Sequence, residues 1–102
     1  MKVKVFIKRP DEEYGHSTFI SDSLENLQNT VGGYIEAVRL SDLVIICNEE
    51  GRLRDLPYNC TIEGISFVGT IIAIGIDKKR QDEFGDVPIS FKEWKELIKK
   101  GG

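Results

Sequence analysis

At 102 residues, with 40% hydrophobic and 30% charged side chains, the chain has the composition of one soluble globular domain rather than a disordered or membrane-spanning protein. Fourteen basic and seventeen acidic residues leave a formal charge of −3, which argues against nucleic acid as a partner held by bulk charge. No apolar run approaches the roughly 20 residues that cross a bilayer, so no membrane contact is expected.

The N-terminal run MKVKVFIKRP alternates Lys with apolar residues. That is a strand pattern and not the apolar core of a signal peptide. Val3, Val5 and Ile7 fall on one face and Lys2, Lys4 and Lys8 on the other, with Phe6 breaking the polar face and suited to cover an edge. Two cysteines, Cys47 and Cys60, are too few for a disulfide framework and suit a reducing, cytoplasmic compartment. Cys47, inside LVIIC, reads as a small buried hydrophobe.

Residues 14–20, YGHSTFI, predict a weaker, antiparallel second strand. Asp22 with Glu25 three residues on predicts a capping box and a helix start. Leu24, Leu27 and Val31 would face the sheet, and Gly32-Gly33 would stop the helix, one of them with positive φ. Two strands follow, YIEAVRL over 34–40 and LVIICN over 43–48, joined by a tight reversal at Ser41-Asp42. Asn48-Glu49-Glu50-Gly51 reads as a turn with Gly51 left-handed, followed by a short third meander strand near Gly51–Arg54 that Pro57 ends.

Residues 67–76, FVGTIIAIGI, are apolar on both faces and predict one central strand covered on both sides. Small residues on its Phe67, Gly69, Ile71, Ala73, Gly75 face would let another element come close. Residues 77–87 read as an exposed loop or distorted hairpin. The last helix is the best marked. Ser90 and Glu93 form a capping box, Ile89 and Trp94 stand at staple spacing, Phe91, Trp94, Leu97 and Ile98 make the buried stripe, and Gly101 ends it. The order β-β-α-β-β-β-β-α specifies a single α+β domain over 1–102, with a mainly antiparallel sheet of about five to six strands and two packed helices. Its opening β-β-α resembles a β-grasp arrangement and the start of ubiquitin. The terminal Gly101-Gly102 does not extend that likeness, because here it follows a helix, where Gly is the ordinary stop.

No catalytic constellation stands out. Arg39, Arg52 and Arg54 would lie on neighbouring meander strands, where three guanidiniums on one face suit a phosphate or carboxylate. The competing reading is a solvated face balanced by Glu36, Glu50 or Asp55. Glu49 and Glu50 with Asp55 and Glu63 lack metal-ligand spacing, and adjacent residues point apart, so no metal is assigned. His16, the lone histidine, has no partner in the sequence for acid–base work. No cofactor motif is present: Gly32-Gly33 closes a helix instead of opening one.

Taken together, Gly32-Gly33 with Ile35-Glu36 and Val38, then Asn48-Glu49-Glu50-Gly51 with Leu53, Leu56-Pro57 and Asn59, then Gly69, resemble the family called domain of unknown function 3846. The resemblance covers most of residues 24–76. It implies a small cytosolic protein of bacteria of the gut type or of their phages, plasmids and conjugative elements. The family has no assigned activity, so it supplies no catalytic residue. Glu36, Glu49, Glu50 and Asn59 are family-like positions that neither a turn nor a cap explains. With the three arginines they make the candidate site.

The leading expectation is therefore a non-enzymatic binding module that contacts a protein or a small anionic ligand through residues 34–59. Two alternatives are a protein–protein or self-assembly module acting through an exposed sheet edge, for instance as a homodimer, and a small enzyme using Glu49, Glu50 or Cys60.

Overall fold

The computed structural model describes all of residues 1–102. Strands β1 (Lys2–Lys8) and β2 (His16–Ser21) form a hairpin that leads into helix α1 (Leu24–Val31). Next come β3 (Ile35–Arg39) and β4 (Val44–Asn48), then β5 (Tyr58–Ile62), β6 (Ile65–Val68) and β7 (Ile71–Asp77). A 3-10 turn over Lys78–Arg80, β8 (Glu83–Gly85) and helix α2 (Phe91–Lys100) complete the chain. The main sheet has the order β2-β1-β7-β4-β3, with β8 added to β7, and β5-β6 stand apart as a two-stranded sheet. Every pairing is antiparallel, so the expected α+β architecture holds.

Alternation along the central strands sends side chains to two cores. Val3, Val5, Ile7, Val44, Ile46, Ile72 and Ile74 pack under α1 with Leu27 and Val31. Ile45, Cys47, Ile71 and Ala73 face the other way, where α2 and the β5-β6 hairpin supply Trp94, Cys60, Ile62 and Phe67. The molecule is thus α1, then the sheet, then a mixed layer of α2 and hairpin. Phe6 is no edge cover. It is fully buried in the second core, edge-on to Phe91 at 5.3 Å and tilted against Trp94 at 5.8 Å. The Trp94 indole N–H donates to Tyr14 O at 2.8 Å, so this large ring is buried without an orphaned donor.

Helix α2 follows its sequence signals, including the reciprocal Ser90–Glu93 capping box. Helix α1 does not start where expected. Ser23 is its N-cap, accepting from the Asn26 N–H. Asp22 lies outside the helix, within 3.4 Å of the N-terminal ammonium and 3.5 Å of Arg80. The later start puts Leu24 in the first turn, pointing to solvent at 58% exposure, while Leu27 and Val31 keep the buried stripe. Gly32 is the left-handed stop at φ 81.

The 51–76 region departs furthest from expectation. No third meander strand exists at 51–54: residues 49–55 are a run of turns, closed by Arg54 N–H to Glu50 O at 2.9 Å and Leu56 N–H to Gly51 O at 3.0 Å. These local bonds take the backbone groups a strand would have offered. Gly51 is not among the positive-φ residues, whereas Asp55 is, at φ 55. A side chain at Gly51 would meet Val68 Cγ2 at 2.9 Å, so glycine is there for space and not for handedness.

The apolar run 67–76 is two strands. Gly69, at φ 72, turns the chain, and its N–H donates to Pro57 O at 2.7 Å. The run's first part joins a hairpin with β5, which closes through Glu63-Gly64, both at positive φ (51 and 78). That is the geometry of a two-residue primed turn. Only the second part, β7, is central, between β1 and β4. The expected close approach at Gly75 is real: an added Cβ would strike Asp86 O, where the segment after β8 wedges beside β1, with Val87 N–H donating to Lys4 O at 2.8 Å.

Candidate functional site: a cleft beside an open sheet edge

Strand β3 ends the sheet on one side. Tyr34 O accepts from the Glu49 N–H, and the Leu40 N–H donates to Leu43 O, both at 2.8 Å. In the register Ile35↔Asn48 to Arg39↔Val44, these bonds fix the even-numbered residues as the pairs facing β4. The alternation of antiparallel ladders then turns the backbone N–H and C=O of Ile35, Ala37 and Arg39 outward. At the opposite edge, the same reasoning from Asp22 N–H to Met1 O turns Ser17, Phe19 and Ser21 outward. Ser21 O is already taken by the Asn26 amide at 2.9 Å. The β3 edge is the longer free one.

Against β3, on the side of the second core, lies a cleft of about 240 Å³ between the sheet, the 49–55 turns and β6. Glu36, Glu49 and Arg52 line it with Val38, Leu53, Ile65 and Phe67, and Cys47 forms part of its floor. Leu53 is 87% exposed and Ile65 39%, so the rim is apolar and open. The Arg52 guanidinium donates to Ser66 O at 2.7 Å, which holds the turn against the hairpin. Neither Glu36 nor Glu49 forms an ion pair. Burial, then the Glu36 charge, pushes the Cys47 thiol up to about 11, with Arg52 opposing. Burial likewise pushes Cys60 up to about 11. Both thiols stay protonated at neutral pH and are not activated nucleophiles.

Of the seven candidate residues, the cleft therefore gathers three: Glu36, Glu49 and Arg52. The three arginines do not share a face, because the strand that would have carried Arg52 and Arg54 is a turn. Arg39 lines a separate recess with Asp42 and Lys78. Arg54 donates to Gly32 O at 2.9 Å, next to Asn48, whose amide donates to Val31 O at 3.2 Å. Together they satisfy carbonyls that the C-terminus of α1 leaves free. Glu50 sits on a further surface with Tyr34 and Gly33.

Asn59 has a structural explanation. It is buried, its amide donates to Lys8 O and Gly69 O at 2.8 Å each, and its Oδ1 accepts from the Lys8 ammonium at 2.8 Å. Lys8, read from sequence as a solvent-facing strand residue, is buried and completes its bonding on Arg9 O at 3.3 Å and Asn59 O at 3.4 Å. This clasp fastens the hairpin to the sheet. A second tie runs from the hairpin tip, where the Glu63 carboxylate accepts from the Ser41 N–H at 3.2 Å and hydroxyl at 2.9 Å. Sequence reasoning missed the hairpin and hence the wall of the cleft. The available signal was Ile62-Glu63-Gly64-Ile65, an X-Gly pair flanked by β-branched residues. No group of three or more His, Cys, Asp or Glu side chains is placed to share a metal ion, and no helix is long and apolar enough to cross a membrane.

No curated protein and no solved structure matches the chain significantly. A family match covers residues 1–99, taking in the edge strand, the cleft and both helices. The chain belongs to the family described as Domain of unknown function (DUF3846).

Proposed function

We propose that the protein is a binding module that takes up an extended peptide segment of a partner protein by strand addition along β3. The observation that carries this reading is the free edge at Ile35, Ala37 and Arg39 running beside the open, apolar-rimmed cleft. An added strand finds main-chain partners at the edge and side-chain room in the cleft. Arg39, Arg52 and Arg54 lie apart, which favours a peptide segment over a small anion held by all three. Two free, buried thiols suit a cytoplasmic setting, and the family resemblance motivates assigning the role to a phage, plasmid or other mobile element, or to its host.

The test is a substitution that removes one outward N–H while leaving the β3-β4 ladder intact. Ala37→Pro does this, because proline is tolerated where a strand N–H faces solvent. Peptides selected on the wild-type protein from a random display library should bind Ala37→Pro at least about tenfold more weakly, with the thermal midpoint close to wild type. Equal binding by Ala37→Pro, or failure of the wild type to select any peptide, overturns the proposal.

A further inference from the structure

The chemistry of the cleft goes beyond the fact of a free edge. In the ladder, Glu36 and Val38 alternate with the outward backbone positions, so both side chains lie on the cleft side of β3. A strand lying along Ile35, Ala37 and Arg39 would project every second side chain over the same mouth. That mouth holds two carboxylates, Glu36 and Glu49, neither in an ion pair. The one cation, Arg52, spends its guanidinium on Ser66 O at 2.7 Å and sits on the hairpin side. Around the charges are Leu53 and Ile65, apolar side chains left in water. Arg52 keeps its charge while bonded to a neutral carbonyl, so the mouth carries two negative charges against one positive, and a neutral or acidic peptide would leave that excess uncompensated. A basic side chain meets the carboxylates while its methylene stem covers the apolar rim, since long cationic side chains bury the stem and keep the head at the charged groups.

We infer that the peptide accepted along β3 carries a lysine or arginine at a cleft-facing position, with an apolar residue two positions away seated against Leu53 and Ile65. This rests on the strand-addition reading above. The charge complementarity sets which peptide is chosen, while the backbone bonds and apolar rim hold it.

The experiment uses three synthetic peptides, each an alternating Val/Thr strand, differing only in a central Lys, norleucine or Glu. Binding to the full chain is read by fluorescence polarisation. The Lys peptide should bind on the order of fivefold more tightly than norleucine and more tightly still than Glu. Raising salt should narrow the gap. The double variant Glu36→Gln/Glu49→Gln should lose the preference for Lys over norleucine, without losing affinity for norleucine. Equal affinity for the Lys and Glu peptides on the wild type overturns the charge inference and leaves strand addition standing, because Ala37→Pro still weakens all three. A Lys preference that survives in Glu36→Gln/Glu49→Gln also overturns it. Failure of all three peptides to bind overturns this inference together with the reading beneath it.

Discussion

The central sheet with α2 and the segment from Glu49 to Gly69 are held together by different physics. In the sheet, β4, β7 and the second half of β1 bury both faces, and their apolar side chains divide between two cores. In the 49–69 segment, the backbone is fixed by a few individual residues. Asn59 and Lys8 form the clasp, Gly69 and Glu63 hold left-handed turns, and Arg52 and Glu63 tie the loops down. The cleft lies where the two meet. A firm sheet edge forms one wall, and a hairpin that packs Ile62 and Phe67 on the second core and is tied by a few polar bonds forms the other.

The largest expected effect lies on the sheet side. Trp94→Ala removes the fully buried indole that packs on Phe6 and should cost about 3–5 kcal/mol, read as a lower urea midpoint. A loss under about 1 kcal/mol would mean that α2 is not what seals the second core.

The second test is aimed at the clasp. Asn59→Leu leaves Gly69 O without its side-chain donor, removes a second donor from Lys8 O, which still pairs with Ile71 in the β1-β7 ladder, and takes from the Lys8 ammonium its shortest bond. It should cost about 2–4 kcal/mol. Lys8→Met removes the other partner. In a double-mutant cycle the pair should show a coupling of about 1–3 kcal/mol. Strict additivity would show that the two residues act independently and that the hairpin is held by its apolar contacts alone.

The contrast also explains what the sequence revealed. Strand β1 and helix α2 repeat a period, and β4 and β7 are unbroken apolar runs, so many residues vote for the same answer: Val3, Val5 and Ile7 in one place, Phe91, Trp94, Leu97 and Ile98 in another. The 49–69 segment has no period to read. Gly69 inside FVGTIIAIGI looks like one more small strand residue, yet its positive φ divides the run in two. Glu63-Gly64 is a hairpin turn written without the usual Asn or Asp. The burial of Lys8 depends on an amide 51 residues away, which no local pattern encodes. The candidate site divides in the same way. Glu36, Glu49 and Arg52 are brought together, whereas Arg39 and Arg54 go elsewhere, because the strand expected to align them is a turn.

Gly69→Ala asks how far one backbone position sets the hairpin. A Cβ there adds strain at φ 72 and approaches Leu56 Cδ1 to 2.8 Å, a flexible side-chain end that can give. The expected cost is about 1–2 kcal/mol. Amide exchange should speed up in β5-β6 while β1 and β7 keep their protection. Equal acceleration in all four strands would mean that the hairpin opens only when the whole molecule does, erasing the distinction between the two regions.

The smallest effect is expected at the clearest local motif. Glu93 accepts from the Ser90 N–H at 3.0 Å, and hydrogen bonds from the Ser90 backbone and side chain hold its carboxyl below the ordinary glutamate range. A depressed native value means that the stabilisation is fully present above the unfolded glutamate value of about 4.3. It is lost as pH falls through the lowered native one. Wild type should therefore be slightly more stable than Glu93→Ala at neutral pH, and the two should converge in acid, with midpoints compared by urea titration at each pH. Because α2 is anchored by Trp94, loss of its cap should leave the helix in place. Asn59, whose partners lie far away in the chain, should matter far more. If Glu93→Ala proves as damaging as Asn59→Leu, α2 depends on its cap as the hairpin depends on its clasp, and the two regions are held in the same way.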